Sequence, residues 1–368
     1  MTAGAATVEV FAHVRDLPAD AQALMGRAEQ SHVEFGVDWY ANLIDAVFAS
    51  EAAQQVRIHV LRQAGRVLAV LPTLARKAAP DREVSALSNF YTAIFSPAME
   101  EGVTAEELLP LARALRRDGA GAPTYRFSPM DPASREFDLL RRALGLAGLK
   151  AYSYFAFGNW YEPVRLNWAD YLKERSGQVR STIKRNAKKF GAEGGRLEIV
   201  RGGDRLEAGI AAYQTVYAQS WKVPEPYPDF VPGLIRLCAR RGWLRLGVAW
   251  VKDTPVAAQI WIVAHGRADI YKLAYDEAYK ALAPGTLLTA ALMEEALDVD
   301  GVREIDYLIG DDPYKATWMS QRRERFGLIA YDPLTLRGLF GLIRQAAGDR
   351  WRRLRSAAPP RPDNSLRT

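Results

Sequence analysis

The chain has 368 residues, of which 49% are hydrophobic and 25% charged, with a formal net charge of +6. That length suits two domains of ordinary size, and its longest apolar runs, such as VAAQIWIVA, fall far short of the roughly 20 residues that cross a bilayer. A single cysteine, Cys238, excludes an intrachain disulfide, and with four scattered histidines it leaves no pattern for a structural zinc site.

The opening MTAGAATVEVFAHVRDLPADAQ lacks the basic-then-apolar order of a secretory signal, so a bacterial-type cytoplasm is the expected setting. The basic charge is local. Lys173–Lys189 holds seven Lys/Arg against one Glu, and Arg337–Thr368 holds eight Arg against two Asp, leaving the remainder net negative. Such patches point to specific anionic partners and not to a generally cationic surface.

In chain order, SHVEFGVDWYANLIDAVFAS has apolar residues at helical spacing. VRIHVLRQAGRVLAVLPTLARK gives two β-rich runs about a QAGR turn, a hairpin signal. EVSALSNFYTAIFSP reads as an aromatic strand, EELLPLARALRRDG as an amphipathic helix ending at Gly119, YRFSPM as a strand and REFDLLRRALGLAGL as a helix.

The second half repeats this order more loosely. A basic helix (VRSTIKRNAKKFG) leads to a strand (RLEIVR) and two helices, RLEAGIAAYQTVYAQSW and FVPGLIRLCARRG. A β-hairpin region from Trp243 to Asp276, a long helix opening at Pro284 and the strand REIDYLIG follow. The pattern predicts an α/β protein with mixed sheets, built by tandem duplication. Its expected divisions are a first unit at 1–150, a connecting segment with the basic helix at 151–195, a second unit at 196–335, and a basic amphipathic helix with a disordered tail at 336–368.

Chemistry concentrates between Arg267 and Trp318. Proline suits the first helical turn, and Gly285 has no Cβ, so Pro284-Gly285-Thr286 can open a helix whose free N–H groups face an anion such as a phosphate. A plain structural cap is the competing reading of that dipeptide. If the strands before and after this helix are parallel neighbours, their carboxyl ends share one crevice with the helix start. Asp276, Asp306, Asp311, Tyr314 and Lys315 would then sit at that rim.

The run AYDEAYKALAPGTLL, followed by IDYLIGDDPYKATW, resembles the acyltransferase domain of the GNAT superfamily. Within that superfamily it is similar to the branch of cellulose-biosynthesis-associated acetyltransferases and Fem-type peptidyltransferases, as is the basic segment RSTIKRNAKKFGAEGGRLEIVR. Together these cover about residues 170–333, and Fem-type proteins also duplicate the fold. The usual phosphate loop, Gln/Arg-x-x-Gly-x-Gly/Ala, is represented only by Lys280-Ala-Leu-Ala-Pro284-Gly285-Thr286. That departure leaves coenzyme A, an acyl carrier protein and an aminoacyl-tRNA all open as acyl carriers.

The resemblance implies transfer of an acyl group, acetyl foremost, from acyl-CoA to an amine by direct attack, with no metal. A backbone N–H near Leu273 or Ala274 would polarise the acyl carbonyl, while Pro284, Gly285, Thr286 and Leu287 would seat the carrier. Asp306, then Asp276, would be the expected base, with Tyr314 at the leaving group or acceptor and Lys315 paired to Asp306 or binding a phosphate. A purely structural Asp306, paired to Lys315, is the plainer alternative.

The acceptor, a small-molecule or envelope-precursor amine, would lie in a cleft between the halves lined by Asn89, Tyr91 and Trp221, with Tyr275 and Asp311 nearby. Lys184 and Arg185 on the basic helix would meet an anionic carrier or substrate, or simply face water. The C-terminal helix would either make weak contact with a membrane surface or pack on the domain. A Fem-like aminoacyltransferase using aminoacyl-tRNA, and a non-catalytic membrane-edge or nucleic-acid-binding protein, are the competing readings.

Overall fold

The computed structural model describes residues 5–356 apart from 52, 77–81 and 120, with backbone alone for 348–356. The disordered tail expected over the last ten or so residues lies outside the described residues. The first half runs β1 (Ala6–Phe11), α1 (Ala19–Glu29), α2 (Val37–Leu43), β2 (Gln54–Gln63), β3 (Arg66–Arg76), β4 (Glu83–Ala86), β5 (Ala98–Met99), α3 (Leu109–Asp118), β6 (Thr124–Met130) and α4 (Arg135–Leu146). Then come β7 (Lys150–Pro163), α5 (Trp168–Glu174) and the basic helix α6 (Gly177–Ala192). The second half continues with β8 (Gly195–Val200), α7 (Leu206–Ala218), α8 (Phe230–Arg240), β9 (Leu244–Val251), β10 (Thr254–Ala264) and β11 (Arg267–Tyr275). It ends with α9 (Pro284–Glu294), β12 (Glu304–Asp306), β13 (Gln321–Tyr331) and α10 (Leu336–Ser356).

All strands join one mixed sheet in the order β1-β2-β3-β4-β6-β13-β7-β12-β11-β10-β9-β8, with β5 beside β3. The duplication is visible in the pairing. β1 through β4 are antiparallel neighbours and β4 is parallel to β6. Likewise β8 through β11 are antiparallel neighbours and β11 is parallel to β12. In each half one helix, α3 or α9, crosses over between the parallel strands, as a parallel connection requires.

The halves then exchange a strand. β7 follows the first half in the chain yet pairs with β12 of the second, while β13 follows the second half and pairs with β6 of the first. β7 and β13 pair along eleven registered positions and close the sheet. Two predicted elements differ. The aromatic stretch after Glu83 is strand only at Glu83–Ala86 and Ala98–Met99; its middle crosses to the second half as a loop. The strand expected from Arg303 to Gly310 stops at Asp306, because Leu308 takes φ 54°, the left-handed region that a strand cannot use.

Three apolar clusters fill the layers. One is shared by α1 and α2 of the first half and α7 and α8 of the second, around Trp39, Tyr213 and Phe230. The second lies under α3 and α4, around Tyr125 and Phe127. The third lies under α6 and α9, around Trp261 and Leu288. The loop carrying Phe90 and Tyr91 is pinned over the second half. Buried Glu34 accepts from the N–H groups of Ala93 (3.1 Å) and Ile94 (2.6 Å), and Tyr91 stacks on Phe230 at 4.1 Å.

Candidate active site

β11 and β12 are paired only from Arg267↔Glu304 to Asp269↔Asp306. Beyond that, residues 270–275 of β11 have no strand partner on their β12 side among the described residues, so the sheet opens as a wedge. A bulge sharpens the bend: Ile260 opposes Lys272 and Trp261 opposes Ile270, leaving Tyr271 as the extra residue.

Asp306 sits at the apex of the wedge. Its carboxylate accepts from Arg267 (3.0 Å), Arg323, Asn159 Nδ2 (2.5 Å) and the Leu308 N–H (2.6 Å). Asn159 also donates to the Leu308 carbonyl at 2.8 Å, so the two side chains hold the left-handed turn that carries the chain out of the sheet. Burial raises the Asp306 pKa, but Arg323 and then Arg267 outweigh it and bring it to about 2. The group is 1% exposed, lines neither cavity described below, and is committed to four donors. Its position suits a turn anchor and not an acceptor of a substrate proton, which corrects the expected geometry.

Two adjoining cavities occupy the wedge. The larger, about 590 Å³, lies between the end of β11 and the start of α9. Leu273, Ala274 and Tyr275 form one wall, and Gly285 and Thr286 the other. Helix α9 begins after Ala283, itself left-handed at φ 50°, with Pro284 at its first position and no side-chain cap. Its first turn is held from behind: buried Gln259 donates to the Gly285 carbonyl (3.0 Å) and Thr289 Oγ1 (2.7 Å) while accepting from Trp261 Nε1. Gln259 thus aims the uncapped helix start at the cavity. Trp221, half-exposed, packs on Tyr275 at 4.6 Å and forms the rim.

The smaller cavity, about 210 Å³, lies between the halves and is walled by Phe90 and Tyr91 from the first and by Ile270–Leu273 from the second. Lys222, Leu273, Tyr307, Asp312 and Tyr314 line both cavities and mark their junction. Here Glu225 accepts from the Tyr91 hydroxyl (2.6 Å) and from Lys272. Burial raises the Glu225 pKa, but those hydrogen bonds win and it stays ionised. Lys222 contacts the rings of Trp221 (5.8 Å) and Tyr217 (5.9 Å), and burial, aided by the charge of Lys272, lowers its pKa to about 8. Burial, with Asp312 nearby, pushes the Tyr314 hydroxyl up to about 12, so it stays protonated at neutral pH.

The remaining expected residues divide by position. Lys315 is 4% exposed, and its ammonium is spent on the carbonyls of Tyr307, Ile309 and Gly310 and on Asp312 (3.4 Å), stapling the loop that bears Tyr314. Asp276 lies off both cavities, accepting from the Ala278 N–H (2.9 Å) at the turn before α9. Asp311 is paired to Arg322 (2.6 Å), and Asn89 accepts from the Tyr91 N–H (2.9 Å). Pro284 and Leu287 are buried under the helix start. Lys184 and Arg185 are exposed on α6, which packs beside α9 and the turn before it without lining either cavity.

Sequence reasoning passed over Lys222, Glu225, Lys272, Gln259 and Asp312. The available signal was WKVPEPYPDF, a charged, proline-rich connection between two helices. Such a segment is too long for a simple turn and here crosses the open wedge.

Residues 177–316 match the family described as an acetyltransferase (GNAT) domain. This segment is a GNAT acyltransferase domain. It contains β11, β12, the α9 start, Lys222 and Lys272. No curated protein matches the chain in sequence. Among solved structures, FemX is similar with a TM-score of 0.57 at 12% identity, covering 88% of this chain and 97% of its own. The C-terminal domain (DUF2156) of a protein assigned as a lysylphosphatidylglycerol synthetase from Agrobacterium fabrum gives 0.51 at 13% identity, covering 84% and 92%. A conserved protein of unknown function from Bacteroides thetaiotaomicron VPI-5482 gives 0.51 at 10% identity, covering 86% and 98%. At these identities the likeness is one of fold: the GNAT domain sits in a chain whose fold is like that of FemX.

Proposed function

We propose that the chain is an N-acyltransferase that moves an acyl group, acetyl foremost, from coenzyme A to an amine bound between its halves. One observation carries this reading: an uncapped helix start and an unpaired strand edge open on a single cavity, and that cavity continues into a second one walled by both halves.

The N–H groups of Gly285 and Thr286 would hold the diphosphate of coenzyme A, whose thioester supplies the activated acyl group. The free edge of β11 at Leu273 and Ala274 presents backbone N–H to the acyl carbonyl, where charge develops. Asp312, exposed at the junction of the cavities, accepts the proton of the attacking amine, directly or through one water. Tyr314, held protonated, gives its proton to the departing thiolate and regains one from solvent. The C–N bond forms as the C–S bond breaks, and holding both reactants in the wedge supplies much of the rate.

A second reading, transfer from an aminoacyl-tRNA, draws support from α6. Its exposed Lys184 and Arg185 lie on a helix packed against α9, and Lys189 Nζ reaches the Ala281 carbonyl at 3.4 Å, so a larger anionic carrier would find charge beside the mouth.

Titration of acetyl-CoA into the full chain by calorimetry separates the two. One saturable site per chain is the expected result; no binding by the folded protein sinks the coenzyme reading. Asp312→Asn should then lower kcat on the order of a hundredfold or more while coenzyme binding persists. Asp306→Asn should register chiefly as lost stability, because it strips charge from a buried network.

A further inference from the structure

Helix α10 makes its close approaches at glycines. A Cβ on Gly338 would stand 2.0 Å from the Asp332 carbonyl oxygen, and one on Gly341 would stand 2.4 Å from the Tyr331 ring. Gly341 therefore brings the helix close over the last residue of β13, and Gly338 lets it start close over the turn at Asp332, where a Cβ would clash.

Its large apolar side chains are left largely exposed, with Phe340 at the lip of the groove beside the helix. Leu336 is 89% exposed, Phe340 68%, Ile343 61% and Leu339 47%, with Leu334 at 82% just ahead. Positions 336, 339, 340 and 343 follow the i, i+3, i+4, i+7 spacing of one helix face. A helix serving only to cap the sheet would turn Phe340 and Ile343 inward and its glycines outward. A contiguous exposed apolar face of this kind marks an interaction surface.

Charge selects the partner. The sequence from Arg337 onward carries eight Arg against two Asp, and Arg344 and Arg126 line the groove at the side of the helix. A second copy of the chain would bring one arginine-rich segment against another. An apolar stripe flanked by arginines matches the boundary between headgroups and acyl chains of an anionic bilayer, with arginine on the phosphates and Leu, Phe and Ile in the hydrocarbon. No helix among the described residues is long and apolar enough to cross a membrane, so α10 would lie in the surface plane. We propose that the exposed Leu336–Ile343 face of α10 docks the protein on an anionic lipid surface. This does not depend on the identity of the acyl donor.

The test is flotation of the full chain with vesicles containing phosphatidylglycerol, against vesicles of phosphatidylcholine alone. A paired variant carries Phe340→Ser and Ile343→Ser. Both side chains are exposed, so the fold should survive, and a thermal melt checks it. The wild type should float with the anionic vesicles and release at high salt. The double variant should lose affinity on the order of a hundredfold, each large apolar side chain being worth roughly tenfold when buried. Failure of the wild type to float, or equal flotation of the variant, overturns the proposal. So does a wild-type dimer, seen by sedimentation velocity, that the double substitution dissolves while vesicles leave the protein unbound.

Discussion

The two halves have the same strand order and the same parallel pair joined by a crossover helix, yet only the second keeps its wedge open. In the first half the chain leaving β4 turns back and fills the equivalent space. Ser88 Oγ donates to the Ser128 carbonyl (2.8 Å), the Phe95 N–H donates to the Pro129 carbonyl, and the Phe95 ring stacks on Phe127 at 6.2 Å. The turn into α3 is also closed on itself. Thr104 N–H donates to the Glu107 carboxylate (2.9 Å) and Glu107 N–H to Thr104 Oγ1 (3.2 Å), the reciprocal pattern that satisfies a helix start internally. Helices α3 and α9 alike begin with proline in the first turn and without a side-chain cap of their own, but the turn leading into α3 carries this reciprocal pair. One half fills its wedge with its own chain; the other leaves it open to a ligand, while the plugging loop of the first supplies Phe90 and Tyr91 to the cleft of the second.

The strongest way to break this comparison is to unplug the first half. Phe95 is 1% exposed, so Phe95→Ala should cost about 3–5 kcal/mol in denaturant unfolding through lost burial and the cavity left behind. Coenzyme stoichiometry should nevertheless stay at one per chain, because the turn into α3 remains internally capped. A second coenzyme site in that variant would mean that the plug alone distinguishes the halves.

A smaller effect is expected from closing the second half electrostatically. A Cβ at Gly285 meets Tyr275 Cδ1 at 3.5 Å, an ordinary contact, and the residue is in regular helix. Gly285→Asp should therefore leave the fold intact and even favour the helix, since a carboxylate suits its first turn. The same carboxylate repels a diphosphate, so affinity for acetyl-CoA should fall on the order of a hundredfold with no loss of melting temperature. Unchanged affinity would place the coenzyme phosphates elsewhere.

Local pattern revealed the duplication because hairpins such as β2–β3 and helices such as α3 and α9 carry their period and their breakers within a few residues. It missed β7 and β13, whose meaning is non-local. KAYSYFAFGNWYEP and QRRERFGLIAY become strands by pairing with each other across the exchange, from Lys150↔Tyr331 to Tyr161↔Gln321. The aromatic loop after β4 read as a strand for the same reason: its partners, Glu34 and Phe230, lie far along the chain. At the site, Pro284-Gly285 was visible as punctuation. The two acids of the wedge were not separable by sequence. Asp306 drew attention by sitting in a strand, and that placement is what buries it against Arg267 and Arg323. Asp312, six residues on and past the turn, is the one left facing the cavities.

The least drastic test concerns the charge at the junction of the cavities. Lys222 has rings for neighbours, and its pKa falls from 10.5 to about 8, mainly by burial and further by the charge of Lys272. Between those two values the unfolded chain binds the proton that the folded protein has released, so stability rises with pH across that window. Below about pH 8 the buried ammonium imposes its full cost. Lys222→Met keeps the bulk and removes the charge. It should stabilise the protein by about 2 kcal/mol near neutral pH, with the gain shrinking to nothing as pH climbs toward 10.5. Unfolding measured along a pH series checks this. A gain independent of pH would show that packing alone improved, whereas a loss would mean that Lys222 holds a favourable charge contact in the folded state. If the ammonium also receives an anionic group of the acceptor, the same variant should raise the acceptor KM severalfold while leaving acetyl-CoA affinity unchanged. The open wedge would then owe part of its specificity to a charge that the first half, with its wedge filled, has no use for.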